Sequence, residues 1–199
     1  MLLTENATQF LAKDQLSDGR RLHYYDKGDN IPLVEEGVWQ VYRGVAQLSQ
    51  ICTSGEEVLL GWVQPFTFFG LWLTHIESYQ VKALSDLYLR WYALNEIENT
   101  PQLSQVMLNQ LARRMRQTEA LLAIAGLKRV EERLQQLLIL LKQELGQPGD
   151  KGTRIGVRLT HQNIANAIGT TRVTVTRLLG DFQRQGIITL DSERHFIIK

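Results

Sequence analysis

From residue 20 to residue 98 the apolar positions recur with a period of two, in short pieces. In GVWQVYRGVAQLSQI, Val38, Gln40 and Tyr42 face one way and Trp39, Val41 and Arg43 the other, with a turn at Arg43–Gly44. EEVLLGWVQP and YQVKALSDLYLRWYAL repeat the pattern, and Gly28, Gly37, Gly44, Gly55, Gly61 and Gly70 punctuate it. Short strands at spacings of about 8–12 residues predict an antiparallel sandwich or barrel. The tryptophans Trp39, Trp62, Trp72 and Trp91 are expected to build its core. At Asn99–Thr100 the period lengthens. Thr100 suits a helix N-cap, and Pro101 suits the first helical position, where a missing N–H costs nothing. From there to Ala125 no glycine or further proline intervenes, so the helix is about 37 Å long at ~1.5 Å per residue. Leu108, Leu111, Met115, Thr118, Leu122 and Ala125 follow one another at alternating spacings of three and four, the a/d seam of a helix pair. The same stripe also fits packing on the helix's own domain. A self-pairing helix is the stronger reading, because the stripe runs past what a small β-domain covers.

Gly126 interrupts the pattern, and a second helix is predicted from about Leu127 to Leu145, with Val130, Leu134, Leu137, Leu138, Leu141 and Leu145 on one face. GQPGDKGT then reads as a loop. In residues 159–199, Thr160 caps a short helix carrying Ile164, Ala165 and Ile168, and Gly169 ends it in a tight turn. Thr170 or Thr171 caps a further helix reaching Arg184, with Val175, Leu178, Leu179 and Phe182 as its apolar face. Two helices joined by three or four residues form a helix-turn-helix. Ala165 must be small where the second helix crosses, while Val175 and Leu178 fill the angle. An ordinary helical hairpin accounts for those apolar residues but not for the outward face. That face carries Thr170, Arg172, Val173, Thr174, Thr176 and Arg177, and no carboxylate occurs before Asp181. Cations and hydroxyls without acids suit a phosphate-lined groove. IITL and HFIIK, around DSER, are predicted to form a hairpin that makes the module winged.

Charge sharpens this division. The whole chain of 199 residues carries +1, with 22 basic and 21 acidic side chains, which by itself argues against a nucleic-acid binder. From Thr153 to Lys199, however, seven basic residues face three acidic ones, a net +4 that leaves −3 for residues 1–152. We therefore expect double-stranded DNA as a partner. Arg172 and Arg177 can each present a bidentate fork to guanine O6 and N7, and Val173 suits a thymine methyl. Thr160, His161, Gln162, Thr170, Thr171, Thr174 and Thr176 are short donors suited to phosphate oxygens.

Cys52 is the single cysteine, which excludes a disulfide framework, a cysteine-rich zinc site and a four-cysteine iron–sulfur cluster. His23 and His75 are isolated, so no metal site, no cofactor and no catalytic residue is expected, and an enzyme is not expected either. The longest apolar run, Leu137 to Leu141, is far short of a membrane span. The first fifteen residues have no basic start followed by an apolar run. A cytoplasmic protein without membrane attachment is the expectation.

TRVTVTRLLGDF resembles the recognition helix of the cyanobacterial nitrogen-control and sulfur-control regulators of the CRP/FNR family. Phe68 to Gly70, FFG, is similar to the β-roll segment leading into that family's effector pocket, and RRMRQTE, Arg113 to Glu119, is similar to a segment of its dimer helix. The resemblance covers essentially the whole chain. It implies an α+β architecture: an N-terminal antiparallel β-roll (a jelly roll, cyclic-nucleotide-binding-like) with a dimerisation helix at about 100–125, together residues 1–125, then a winged helix-turn-helix over 126–199. It implies a homodimer on an inverted-repeat operator and contacts with RNA polymerase. It places base contacts on Arg172, Val173 and Arg177, and an effector pocket around Phe69, Gly70, Leu71, Arg114 and Glu119, with Lys82 close by in sequence. FFGLW lacks the family's glutamate and ESYQVKAL its Arg-Ser pair, so cyclic AMP is not expected. The nitrogen regulators respond to 2-oxoglutarate. Arg114 and Glu119 match two of their pocket residues, but the strand arginine is missing and Glu77 lies near its place. A regulator with a small acid effector, one with a degenerate pocket in which Arg114 and Glu119 form a salt bridge, and a β-roll enzyme with an appended DNA-binding domain are the readings to separate.

Overall fold

The strand-patterned half folds into two antiparallel layers. In the computed structural model, which describes residues 20–199, the strands are β1 (His23–Tyr25), β2 (Gly37–Arg43), β3 (Ala46–Ile51), β4 (Glu57–Val63), β5 (Phe68–Phe69), β6 (Tyr79–Ala83) and β7 (Leu87–Ala93). One sheet has the order β1-β7-β2-β5 and the other β4-β3-β6. In the β2–β7 pair, Val38 opposes Tyr92, Trp39 opposes Trp91 and Gln40 opposes Arg90, with a register shift between Val41 and Arg43. Side chains directly opposite share a face. Trp39 and Trp91 therefore meet edge to face at 4.9 Å, and Val38 and Tyr92 join a core cluster with Phe68, Ile97, Val106 and Met107. Gly37 is required at the start of β2, since a Cβ there would lie 2.3 Å from the Tyr92 carbonyl oxygen. Trp39 and Trp62 are buried as expected, but Trp72 is not. It sits in a single 3₁₀ turn, Leu71–Leu73, and is half exposed.

Helices α1 (Leu94–Asn99) and α2 (Pro101–Ala125) come next, α2 with the predicted bounds. Leu108, Met115 and Leu122 on α2 are exposed, by 66%, 61% and 73%, while Val106, Met107, Gln117 and Ile124 on other faces are buried. The described residues fall into two compact units. One comprises residues 20–47 and 62–114, the other 48–61 and 115–199, the second half of α2 grouping with the C-terminal elements. There Gln117 donates to the Glu144 carboxylate at 3.0 Å. The reading of the first fifteen residues lies outside the described residues.

The second unit is built on α3 (Val130–Leu145), which starts three residues later than the apolar spacing indicated. Leu134, Leu137, Leu138, Leu141 and Leu145 are buried at the predicted helical spacing. GQPGDKGT is not a plain loop. β8 (Gly146–Gly149) and β9 (Gly152–Ile155) form a hairpin, and β9 pairs with β11 (Phe196–Ile198), which pairs with β10 (Ile188–Leu190). The glycine-rich composition marks the turn, but pairing with a strand some forty residues away decides that its flanks are strands. Among the described residues no helix is long and apolar enough to cross a membrane. Since Leu141 is fully buried, Leu141→Ala is expected to cost about 2–5 kcal/mol through lost burial and the cavity left behind, measured by urea unfolding.

Candidate nucleic-acid interface

Helices α4 (His161–Ile168) and α5 (Arg172–Arg184) carry the predicted face. Thr160 closes the start of α4. Its Oγ1 accepts from the Asn163 N–H at 3.1 Å, while the Asn163 side chain accepts from the Thr160 N–H at 3.0 Å. This reciprocal pair satisfies two donors that a helix start leaves open. Gly169 ends α4 at φ 59°, ψ 56°, and the N–H groups of Gly169 and Thr170 both turn back to the Ala165 carbonyl. Thr171, not Thr170, caps α5, accepting from the Thr174 N–H at 3.2 Å. Ala165, Val175 and Leu178 are buried between the two helices, and Ile164, Ile168, Leu179 and Phe182 complete the core beneath them.

With that core in place, Arg172, Val173, Thr176 and Arg177 are exposed on one end of α5, Val173 by 79%. The Arg177 guanidinium donates to Asp181 at 3.3 Å, and Arg184 pairs with the same carboxylate. Asp181 therefore steadies the fork from behind, a role the spacing of four residues already encodes. The threonines divide. The Thr176 hydroxyl donates to the Arg172 carbonyl at 2.9 Å and touches His161 Nδ1 at 2.8 Å, so it orients the histidine and is not a spare donor. Thr171 and Thr174 share a hydroxyl contact at 2.9 Å, and Gln162 donates to Asn166 at 2.7 Å. Burial, and after it the Arg172 charge, holds the His161 imidazole below the ordinary histidine range.

The wing adds residues that helix spacing could not reveal. A cleft of about 580 Å³ is lined by Arg158, Leu159, Thr160, His161, Gln162, Arg172, Leu190, Arg194 and Phe196. The wing turn itself is clamped by Arg154, whose Nε donates to Asp191 at 2.7 Å and whose Nη2 reaches Glu193 at 3.0 Å and His195 Nδ1 at 2.7 Å. Burial alone would raise the Asp191 carboxyl. The His195 N–H, Arg154 and the Glu193 N–H outweigh it and hold the group at about 2. Asp191, Glu193 and His195 offer three metal-type ligand atoms close together, but the Arg154 guanidinium is the cation they already hold.

Of the residues expected around an effector pocket, Phe69, Gly70, Leu71, Lys82 and Arg114 belong to the first compact unit and Glu119 to the second. Phe69 and Gly70 are buried, Gly70 too tightly for ease, since a Cβ would lie 3.1 Å from the Gly37 carbonyl oxygen. Leu71 is half-buried. Arg114 Nη1 donates to the Trp62 carbonyl at 3.5 Å and its charge acts on Tyr79, whose phenol burial pushes up to about 12. Lys82 is exposed between the buried Val81 and Ala83, so it points away from the face they pack. Glu119 is exposed on α2.

The Crp-like helix-turn-helix family model matches residues 132–199, the unit that carries α4, α5 and the wing. Over 98% of its length the chain is 31% identical to the global nitrogen regulator of Synechococcus elongatus and covers 94% of that protein. The chain belongs to the CRP/FNR family of transcription regulators. This CRP/FNR protein is also 33% identical to the regulatory protein CysR of Synechococcus elongatus, over 79% of this chain and 74% of that one. A transcriptional regulator of the CRP/FNR family from Thermus thermophilus has the same fold, with a TM-score of 0.72 at 21% identity over 90% of this chain and 94% of that one. The exposed face of α5, with its cation-and-hydroxyl pattern, lies within the part of the chain that the Crp-like helix-turn-helix model matches. Arg177→Ala is expected to cost roughly 1–3 kcal/mol of specific binding and to relax one base position. A gel-shift series over single-base operator variants checks it, and uniform weakening over all sequences would remove the base-reading role.

Proposed function

We propose that this CRP/FNR regulator acts as a homodimer on an inverted-repeat operator, pairing through α2. The observation that carries this reading is the stripe of Leu108, Met115 and Leu122, spaced seven residues apart and each more than 60% exposed on one chain. Large aliphatic side chains on a single helical stripe are stabilised when a second copy buries them, at ~25 cal/mol per Å² removed from water. Thr118 and Ala125, also exposed, and the half-buried Leu111 supply the intervening positions of the seam. Two paired copies then offer two α5 helices to half-sites one helical turn apart, ~34 Å. In this reading α5 supplies sequence readout, with RNA polymerase as the partner through which bound protein alters transcription.

For the β-roll, the geometry favours a scaffold over a receptor for 2-oxoglutarate. The strand arginine of the nitrogen regulators is missing, Lys82 points away from the packed face and Arg114 Nη1 donates to the Trp62 carbonyl. Titration calorimetry with 2-oxoglutarate and with cyclic AMP tests this; heat from 2-oxoglutarate that Arg114→Ala removes would replace the scaffold reading. For the dimer, Met115→Glu combined with Leu122→Glu places unpaired charges on the seam. We expect sedimentation to show monomers and operator affinity to fall; a persisting dimer would sink the seam.

A further inference from the structure

The cleft between α4, α5 and the wing has a chemistry of its own. Arg158 precedes α4, Arg172 opens α5 and Arg194 comes from the wing turn, so three separate segments each bring an arginine to one lining that contains no acidic residue. Arg194 is held there with φ 63°, its N–H donating to the Asp191 carbonyl at 3.0 Å. The Arg154 clamp on Asp191 and Glu193 fixes the turn that presents it and occupies the nearby acids. Arg158, Arg172 and Arg194 are all exposed. A lining of three cations with an amide donor from Gln162, while Thr160 spends its hydroxyl proton on Asn163, suits one ligand class, a phosphodiester of the DNA backbone.

His161 is the remaining polar member of the lining, and its hydrogen bonds settle what it can do. The Thr176 hydroxyl spends its single proton on the Arg172 carbonyl. Toward His161 that oxygen can therefore only accept, so the proton of the neutral imidazole sits on Nδ1, 2.8 Å away. Nε2 is left as a bare acceptor. A phosphate oxygen is also an acceptor, and two acceptors repel. Nε2 becomes a phosphate ligand only by taking up a proton. The groups facing His161 are Arg172 and Thr176 of α5, with Arg158 and Arg194 across the cleft, and none is acidic. Nothing in the free protein thus favours the imidazolium, and burial and the Arg172 charge oppose it.

We propose that this cleft seats a DNA-backbone phosphodiester clamped by Arg158 and Arg194, beside the base-facing Arg172, and that His161 takes up one proton at Nε2 when the phosphate enters, so that DNA binding by each reader is linked to protonation. The phosphate's negative charge supplies the favourable partner the free imidazole lacks. The proton is therefore bound in the complex and absent from the free protein over the window between the two titrations. In that window affinity rises as pH falls, and it levels off below the titration of the free histidine. Thr176 is the positioning residue that makes the uptake obligatory.

The inference rests on the DNA-reading face, and the experiment separates the two. An operator is selected from random-sequence duplexes with the wild-type protein. Binding to it is measured from pH 5.5 to 8 at constant ionic strength, together with proton uptake by calorimetry in two buffers of different ionisation enthalpy. We expect wild type to take up protons and to weaken with rising pH, by at most about tenfold per unit for each reader. His161→Gln keeps a donor that does not titrate, and its profile should be flat. Thr176→Val frees Nδ1, lets the neutral ring carry its proton on Nε2, and should reduce the uptake while binding persists. Arg194→Ala should weaken operator and scrambled duplex alike and lower the salt slope by about one. Uptake that survives in His161→Gln, or a pH-independent wild type that still binds its operator, overturns the proton linkage alone. An unchanged salt slope in Arg194→Ala overturns the clamp. Failure to select any sequence at any pH overturns the DNA-reading face and the seat with it.

Discussion

Gly169 carries the backbone through φ 59°, ψ 56°, and two successive N–H groups, its own and that of Thr170, close on the Ala165 carbonyl. A side chain strains that conformation, whereas glycine takes it at little cost. The turn lets α5 cross α4 where Ala165 is small enough to be wholly buried, and the crossing fills with Val175 and Leu178. Once those apolar positions are buried, the helical period leaves Arg172, Val173 and Arg177 no place but the outside. This exposed face is the complement of a packed core, which is why a few non-polar residues decide where the arginines stand.

The wing depends on a different kind of interaction. Arg154 on β9 meets Asp191, Glu193 and His195, residues 37 to 41 positions further along the chain. Half-exposed ion pairs of this kind contribute little to global stability. Their effect here is local. They define the turn between β10 and β11, neutralise the acids beside it and leave Arg194 facing the cleft. The near-neutral charge of the whole chain and the cationic lining of one cleft are compatible because Asp191 and Glu193, the acids of the wing turn, are held by Arg154 and stay out of that lining.

Much of the fold was legible in the residues. Alternation marked the strands of the β-roll, the unbroken stretch from Pro101 to Ala125 marked α2 to the residue, and the spacing of Ala165, Gly169 and Val175 marked the helix-turn-helix. These signals are local, set by a repeat of two or 3.6 and by capping chemistry. Two local readings failed. GQPGDKGT became a hairpin because β9 found a distant partner in β11, and Trp72 stayed half exposed in a one-turn helix.

Residue order alone was enough for the family, the succession of strands and helices and the face of α5 that carries charge, because periodicity and capping act within a few residues. Which donors remain available was set by folding. Thr176 lost its free proton to a carbonyl four residues back, and His161 received its tautomer from Thr176, fifteen residues ahead. A hydroxyl has one proton to give, and where it goes depends on which acceptor the tertiary structure brings within reach.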